Sequence, residues 1–271
     1  MKPYDVKKIT SPQNPLIREL LAVKESPRRQ AFLIEGPHLV TEALAGGTSI
    51  DAVLMTASFL TRLSEEKEKF FSALSRAAGK RLFEAPEALL KRLAGTKTPQ
   101  GILARCALGP VALRDLKVKK PALIAIGDGI NEPGNLGALI RAADAAGADA
   151  CIATPGSAGL FSPRTLRASA GGIFHLPVIE ADTGQIVRYL REKKILLAGA
   201  DAHAEQSIYE VDLSGPLAVV FGSEAHGLSP ALLAEADVLL RIPIKGKAES
   251  LNVGAAAAVV LFEAVRQRLF S

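Results

Sequence analysis

The sequence predicts an α/β protein built on a mainly parallel sheet, with a smaller α/β unit in front of it. Three observations carry this expectation. Beyond residue 120, short continuous apolar runs alternate with stretches of helical period, as parallel strands buried on both faces require. At 271 residues the chain is long for one hydrophobic core, so two domains are expected. Charge divides the same way: residues 1–105 hold 17 Lys and Arg against 11 Asp and Glu, whereas residues 106–271 hold 16 against 17. The expected division is a first domain over 1–106, a linker over 107–120 and a second domain over 121–271.

In the first part, Leu16, Leu20, Leu21 and Val23 give residues 13–25 a helical period. A strand follows at FLIEG (32–36), and a helix over 37–45 carries Leu39, Val40 and Leu44 on one face. AVLMT (52–56) reads as a strand, 58–78 as a charged amphipathic helix and KRLFEA (80–85) as another strand. PEALLKRLA (86–94) opens a helix with proline at its first position, and TPQGILARC (98–106) closes the unit. ALGPVALRDLKVKK (107–120) has no clear period and reads as the linker. The basic excess of the first part suits a phosphate backbone, although an ordinary solvated surface accounts for it equally well.

The second part presents strands at 122–127, 150–154, 195–199, 217–222 and 238–242. Helices fall at 135–146, 163–171, 184–194, 229–235 and 251–269. Three of its loops, rich in small and polar residues, follow strands. In NEPGNLGALIRAADAAG (131–147), Asn135 reads as the N-cap of a helix with Leu136, Leu139, Ile140 and Ala143 on its apolar face. Arg141 is the one cation of that helix, and its spacing suits a surface arginine paired with Asp144 or Glu132. In VVFGSEAHGLS (219–229), Gly222 and Gly227 permit a tight turn around Glu224, itself readable as a plain loop carboxylate. Ser229 and Pro230 then start a helix. In IPIKGKAESLNVGAAAAVVLFEA (242–264), Ser250 or Asn252 caps a helix apolar nearly all round, which suits either the core or a subunit interface.

Several chemistries are disfavoured. GDGINEPGNLG lacks the GxGxxG of a dinucleotide fold, and FGSEA lacks the second glycine of a nucleophile elbow. Cys106 and Cys151 stand far apart and read as inert thiols, and His38, His175, His203 and His226 are scattered, so no metal is expected. The amino terminus has no apolar run behind its lysines, and no stretch reaches the roughly 20 apolar residues of a membrane span. A cytoplasmic location without membrane attachment is expected.

Taken together, the three loops resemble the signature motifs of the SpoU/TrmH-type RNA 2′-O-ribose methyltransferases of the SPOUT class. Asn135 and Arg141 match the first motif, Glu224 with Gly222, Gly227 and Leu228 the second, and Ser250-Leu251-Asn252-Val253 the third. SPRTLRASAGGIFHLPV (162–178) is similar to a further segment of that family. SPQNPLIREL and FLIEGPHLVTEAL resemble the small ribosomal-protein-like substrate-binding domain that precedes the catalytic domain in many members. The resemblance spans almost the full chain, with Gly254 standing where relatives often carry serine or alanine.

The resemblance implies a trefoil knot at the carboxyl edge of the sheet, with loops near 195–203, 219–228 and 242–254. It implies S-adenosylmethionine as methyl donor, its adenine held by Gly199, Ala200, Gly222, Ile242 and Leu251. It implies that Arg141 assists deprotonation of a ribose 2′-hydroxyl while Asn135, Glu224, Ser250 and Asn252 orient arginine or ribose. Guanidinium has a pKa above about 12, so clamping phosphate and stabilising a developing oxyanion suit Arg141 better than accepting a proton. RNA is implied as partner because DNA lacks the 2′-hydroxyl. Ribosomal RNA is favoured over tRNA, with Arg28 and Arg29 among the candidate contacts. A homodimer through the knot and the last helix is implied too. The competing readings are a tRNA ribose methyltransferase, a non-catalytic RNA- or ribosome-binding protein of the same fold, and a nucleotide-dependent enzyme of ordinary doubly wound fold.

Overall fold

A computed structural model describes residues 6–62, 67–79, 81–109 and 111–270. They form two compact units, Met1–Pro110 with Phe161–Leu166, and Val111–Leu160 with Arg167–Ser271.

The first unit runs β1 (Lys7–Lys8), α1 (Pro15–Glu25), β2 (Phe32–Glu35), α2 (Pro37–Ala45), β3 (Ser49–Met55), α3 (Ala57–Arg62), α4 (Lys67–Ala78), β4 (Leu82–Glu84), α5 (Glu87–Leu93) and β5 (Ile102–Ala107). Its sheet has the order β1-β4-β3-β5-β2, with β5 antiparallel to both neighbours. Asn14 starts α1 by accepting from the Leu16 amide, ahead of Pro15 in the first turn. Leu16, Ile17, Leu20 and Val23 of that helix pack on Leu33, Leu54 and Leu103 of the sheet and on Leu89, Leu90 and Leu93. The helix expected over 58–78 is two helices, and the part of it at 63–66 lies outside the described residues, as do Met1–Asp5, Lys80 of the strand expected at 80–85 and Pro110 of the expected linker. Arg28 is exposed. Arg29 is committed within the unit, donating to the Gly109 carbonyl at 3.0 Å and lying 5.5 Å over the Phe161 ring.

The second unit opens with a 3₁₀ turn at Leu113–Asp115, and Leu113 and Leu116 are buried in its core. It continues β6 (Leu123–Asp128), α6 (Pro133–Ala145), β7 (Ala150–Ala153), α7 (Pro163–Ala168, whose residues up to Leu166 belong to the first unit), α8 (Gly172–His175), β8 (Val178–Glu180), α9 (Thr183–Lys193), β9 (Leu196–Ala200), β10 (Gln206–Ser207), β11 (Leu217–Gly222), α10 (Pro230–Glu235), β12 (Val238–Arg241) and α11 (Val253–Leu269). All seven strands are parallel, in the order β10-β12-β9-β11-β6-β7-β8. The continuous apolar strands expected from the sequence form its middle, with Ile124, Ile126, Ile152, Ala218 and Val220 fully buried. The helix expected over 163–171 ends at Ala168 as α7, and α8 starts separately at Gly172, because Ala170 and Gly171 between them take positive φ of 49° and 102°.

The topology decides where a site can form. The chain leaves β6 towards β7 and β8, then crosses to lay β9, β11 and β12 on the other side. In parallel sheets the crevice at such a reversal, beyond the carboxyl ends of the strands, is where ligands bind. Here it opens between β6 and β11, whose final residues Asp128 and Gly222 are register partners. At the opposite edge, Asp149 accepts from the amides of Lys119 and Leu123 at 3.0 and 2.9 Å. Both cysteines are buried and free; burial pushes the Cys151 thiol up to about 12 and raises that of Cys106 as well. Among the described residues, no helix is long and apolar enough to cross a membrane.

Candidate active site

α6 begins earlier than its sequence suggests. Pro133 occupies the first turn and the Glu132 carboxylate accepts from the Gly134 amide at 2.7 Å, so Glu132 is the N-cap and not Asn135. With no capping duty, the Asn135 side chain is free to face across to the last helix.

Asn252 is the N-cap of α11, its Oδ1 accepting from the Gly254 amide at 2.9 Å. That bond fixes which way the amide points, because Oδ1 is a cap acceptor and only Nδ2 can turn outward. Nδ2 donates to Asn135 Oδ1 at 2.8 Å and to Glu224 Oε1 at 3.0 Å. Residues 117 and 28 positions apart from Asn252 thus meet at one amide, and the three loops singled out in the sequence converge. α11 reaches α6 closely here: a Cβ on Gly254 would come within 2.5 Å of the Ala138 Cβ. Glycine at 254 is therefore matched to alanine at 138.

Glu224 stands at the tip of a turn that is held shut at its base. Ser223 and Gly227 exchange backbone hydrogen bonds of 3.0 and 2.9 Å. Gly222 has no space for a side chain, since a Cβ would lie 2.1 Å from the Gly227 carbonyl carbon. Ser229 caps α10 by accepting from Leu232, with Pro230 in the first turn as expected.

Arg141 does not join that cluster. It lies six residues beyond Asn135 in α6, about 9 Å further along the helix axis. It is exposed, and it has no hydrogen-bond or ion-pair partner among the described residues. Neither partner that its spacing suggested holds it: Asp144 pairs with His175 Nδ1 at 2.9 Å, and Glu132 serves its helix end. Ser250 is exposed in the loop before α11, and its hydroxyl likewise has no partner among the described residues.

The residues expected to hold a cofactor line the same rim in different ways. Gly222 ends β11 and Ala200 ends β9, while Ile242 is half-buried just past β12. Leu251 is 38% exposed, a large apolar side chain left open beside the Asn252 cluster. Gly199 is buried, and a Cβ there would meet Leu239 Cδ2 at 2.7 Å and Leu228 Cδ1 at 2.8 Å, so it lets those side chains close over the strand. The backbone of Pro243–Leu251 belongs to neither helix nor strand. Apolar side chains next to unclaimed amides and carbonyls fit a nucleoside-sized ligand with an apolar body and a polar edge. Sequence reasoning passed over Asp128 and Thr154, which sit buried beneath this rim. The only hint of them was an acidic residue between two glycines at a strand end.

Residues 122–262 match the SpoU rRNA methylase family, and residues 14–104 match the MRM3-like substrate binding domain. The chain is 33% identical over 260 residues to the 23S rRNA (guanosine(2553)-2′-O)-methyltransferase RlmP of Bacillus subtilis, covering 95% of this chain and 98% of that one. It is 35% identical over 242 residues to the 23S rRNA (guanosine-2′-O-)-methyltransferase RlmB of Ralstonia nicotianae, covering 87% and 96% of the two chains. Among solved structures, an AdoMet-bound rRNA methyltransferase from Sinorhizobium meliloti superposes with a TM-score of 0.84 at 30% identity, over 97% of this chain and 98% of that one.

Proposed function

The chain belongs to the SpoU rRNA methylase family and is an S-adenosylmethionine-dependent RNA ribose 2′-O-methyltransferase, and on that premise we propose that it acts on ribosomal RNA through Arg141, Asn135, Glu224, Ser250 and Asn252. The observation that carries this reading is the junction of Asn135, Glu224 and Asn252, three residues from three loops joined at one amide on the carboxyl rim. Bound there, S-adenosylmethionine supplies an electrophilic sulfonium methyl. The chain supplies position: Gly222, Ala200, Ile242 and Leu251 shape the cradle, with Gly199 beneath it.

A ribose hydroxyl is a poor nucleophile, so alignment and charge stabilisation carry the acceleration. Asn252 spends both its donor hydrogens on Asn135 and Glu224, which fixes the Glu224 carboxylate and leaves its Oε2 to face a ribose hydroxyl. The unpaired guanidinium of Arg141 holds a target phosphate by paired donation and stabilises charge growing on the 2′-oxygen. Within one chain Arg141 stands apart from the Asn252 cluster, which favours a site completed by a second copy. α11 supports the same reading, for Phe262 is 47% exposed and Leu269 73% exposed on a helix otherwise rich in apolar residues. The basic first unit is assigned to RNA, with Arg28 in place of Arg29 as a contact. A trefoil knot at the rim and a cytoplasmic location complete the proposal.

Incubation with S-adenosylmethionine and undermethylated ribosomal RNA, followed by mapping of 2′-O-methyl groups, tests it. The expected result is one new ribose methyl in ribosomal RNA. A methyl found only in tRNA, or none despite cofactor binding, would replace the ribosomal reading.

A further inference from the structure

We propose that Asp128 is a positioning residue for methyl transfer, a buried carboxylate that sets the Glu224 turn against the Asn135 helix; the inference rests on the methyltransferase reading above. Asp128 ends β6 and is 6% exposed. Its Oδ2 accepts from the Ser229 amide at 2.6 Å, and its Oδ1 accepts from the Thr154 hydroxyl at 3.0 Å. Thr154, also buried, accepts in turn from the Gly129 amide at 2.9 Å. One carboxylate therefore ties the ends of β6 and β7 to the start of α10.

The consequence for the site follows from what each tie carries. Gly129 opens the loop that leads into α6 and Asn135. Ser229 ends the loop whose tip is Glu224; that loop is also tied by the Ser223–Gly227 pair and by the His226 amide donating to Ser223 Oγ at 3.2 Å, and Leu228 packs on the core beside its exit. The other hydrogen bonds of Ser229 among the described residues run into its own helix, so Asp128 is the polar tie from the exit of the turn to the end of β6, next to the packing of Leu228. Glu224 and Asn135 must both reach Asn252 Nδ2, at 3.0 and 2.8 Å, so a shift of the turn relative to α6 breaks the junction. Burying a carboxylate is unfavourable unless donors surround it, and an apolar residue would pack the end of β6 more simply.

The molecule contains its own control. Asp149 is a second buried carboxylate, 7% exposed, that accepts two backbone amides at the opposite edge of the same sheet. In steady-state methyl transfer with the full chain, Asp128→Ala is expected to lower kcat about 100-fold, as a small misplacement of reacting groups does. Asp149→Ala is expected to lower Tm while kcat, measured below the transition, stays within about two-fold, because no site residue hangs from it. Amide exchange at Ser229 accelerates in Asp128→Ala and is unchanged in Asp149→Ala. Equal loss of kcat in the two variants, or a folded Asp128→Ala with wild-type kcat, overturns the proposal. Should Asp128→Ala fail to fold, Asp128→Asn decides. Its carbonyl oxygen still accepts from Ser229 and its amide donates to the Thr154 hydroxyl, so kcat stays within about ten-fold of wild type. A 100-fold loss in Asp128→Asn with Ser229 still protected overturns positioning as the role (about 100-fold being the scale of misplacement). An unaltered chain that transfers no methyl at all overturns the functional reading instead, a result distinct from an active chain indifferent to Asp128.

Discussion

Asn252 does two jobs that a single side chain can combine only as an amide. Its oxygen satisfies an orphan amide of α11, and its nitrogen joins Asn135 to Glu224. Asn252→Ala removes both. Losing the cap alone is expected to destabilise the fold by about 1 kcal/mol, readable as a lower denaturant midpoint. Asn252→Asp keeps the cap acceptor but sets a carboxylate against Glu224. It is therefore expected to match wild type in stability more closely than Asn252→Ala, yet to lose kcat as fully. Recovery of activity in Asn252→Asp would show that the bridging donor is dispensable. Arg141 calls for the opposite test. Since it holds nothing in the fold, Arg141→Ala is expected to keep Tm and S-adenosylmethionine affinity while abolishing methyl transfer. Turnover retained in that variant removes Arg141 from the chemistry.

At the scale of elements, α11 links the site to the far side of the sheet. Its first turn carries the Asn252 cap, and its last turns are anchored by charge. Glu263 is buried and receives Arg266 at 2.8 Å and Gln267 at 2.9 Å, while Gln267 also binds Val211 and Leu213. Arg268 donates to the carbonyls of Ala122 and Gly215. The hydrogen bond from Arg266 holds the Glu263 carboxyl below the usual carboxylate range. A depressed folded pKa gives stability that is complete above the unfolded value, about 4.3 for glutamate, and is lost as pH falls through the folded one. Thermal melts of wild type and Glu263→Gln are thus expected to differ most near neutrality and to converge in acid. A gap that stays constant across that range would mean that the ion pair contributes nothing.

On the scale of the whole molecule, a parallel sheet leaves its carboxyl rim on one edge, and the proposal assigns the basic excess of residues 1–105 to a phosphate backbone. The shared site proposed above would make activity depend on association. Sedimentation and specific activity are expected to fall together on dilution, and Phe262→Lys is expected to shift the midpoint to higher protein concentration. A monomer with full specific activity would refute the shared site.

The order of strands and helices in the second unit was legible because continuous apolar runs of four to six residues announce buried parallel strands, as at 122–127 and 217–222. Short or polar strands were not: Gln206–Ser207 has no apolar signal, and only pairing with β12 makes it a strand. The stretch 107–120 reads as a linker because its apolar residues lack a period, yet Leu113 and Leu116 are buried in the second unit, where packing needs no regular repeat. By itself the sequence determined the α/β class, the glycine turn around Glu224 and a cap for the last helix at Ser250 or Asn252, of which the structure shows Asn252, since these follow from local chemistry and nearest neighbours along the chain. Tertiary structure alone decided that Asn135 and Glu224 meet at the Asn252 amide and that Asp128 grips Ser229 across 101 positions. Those outcomes depend on which strand ends lie side by side, and strand order is set by the packing of the complete sheet.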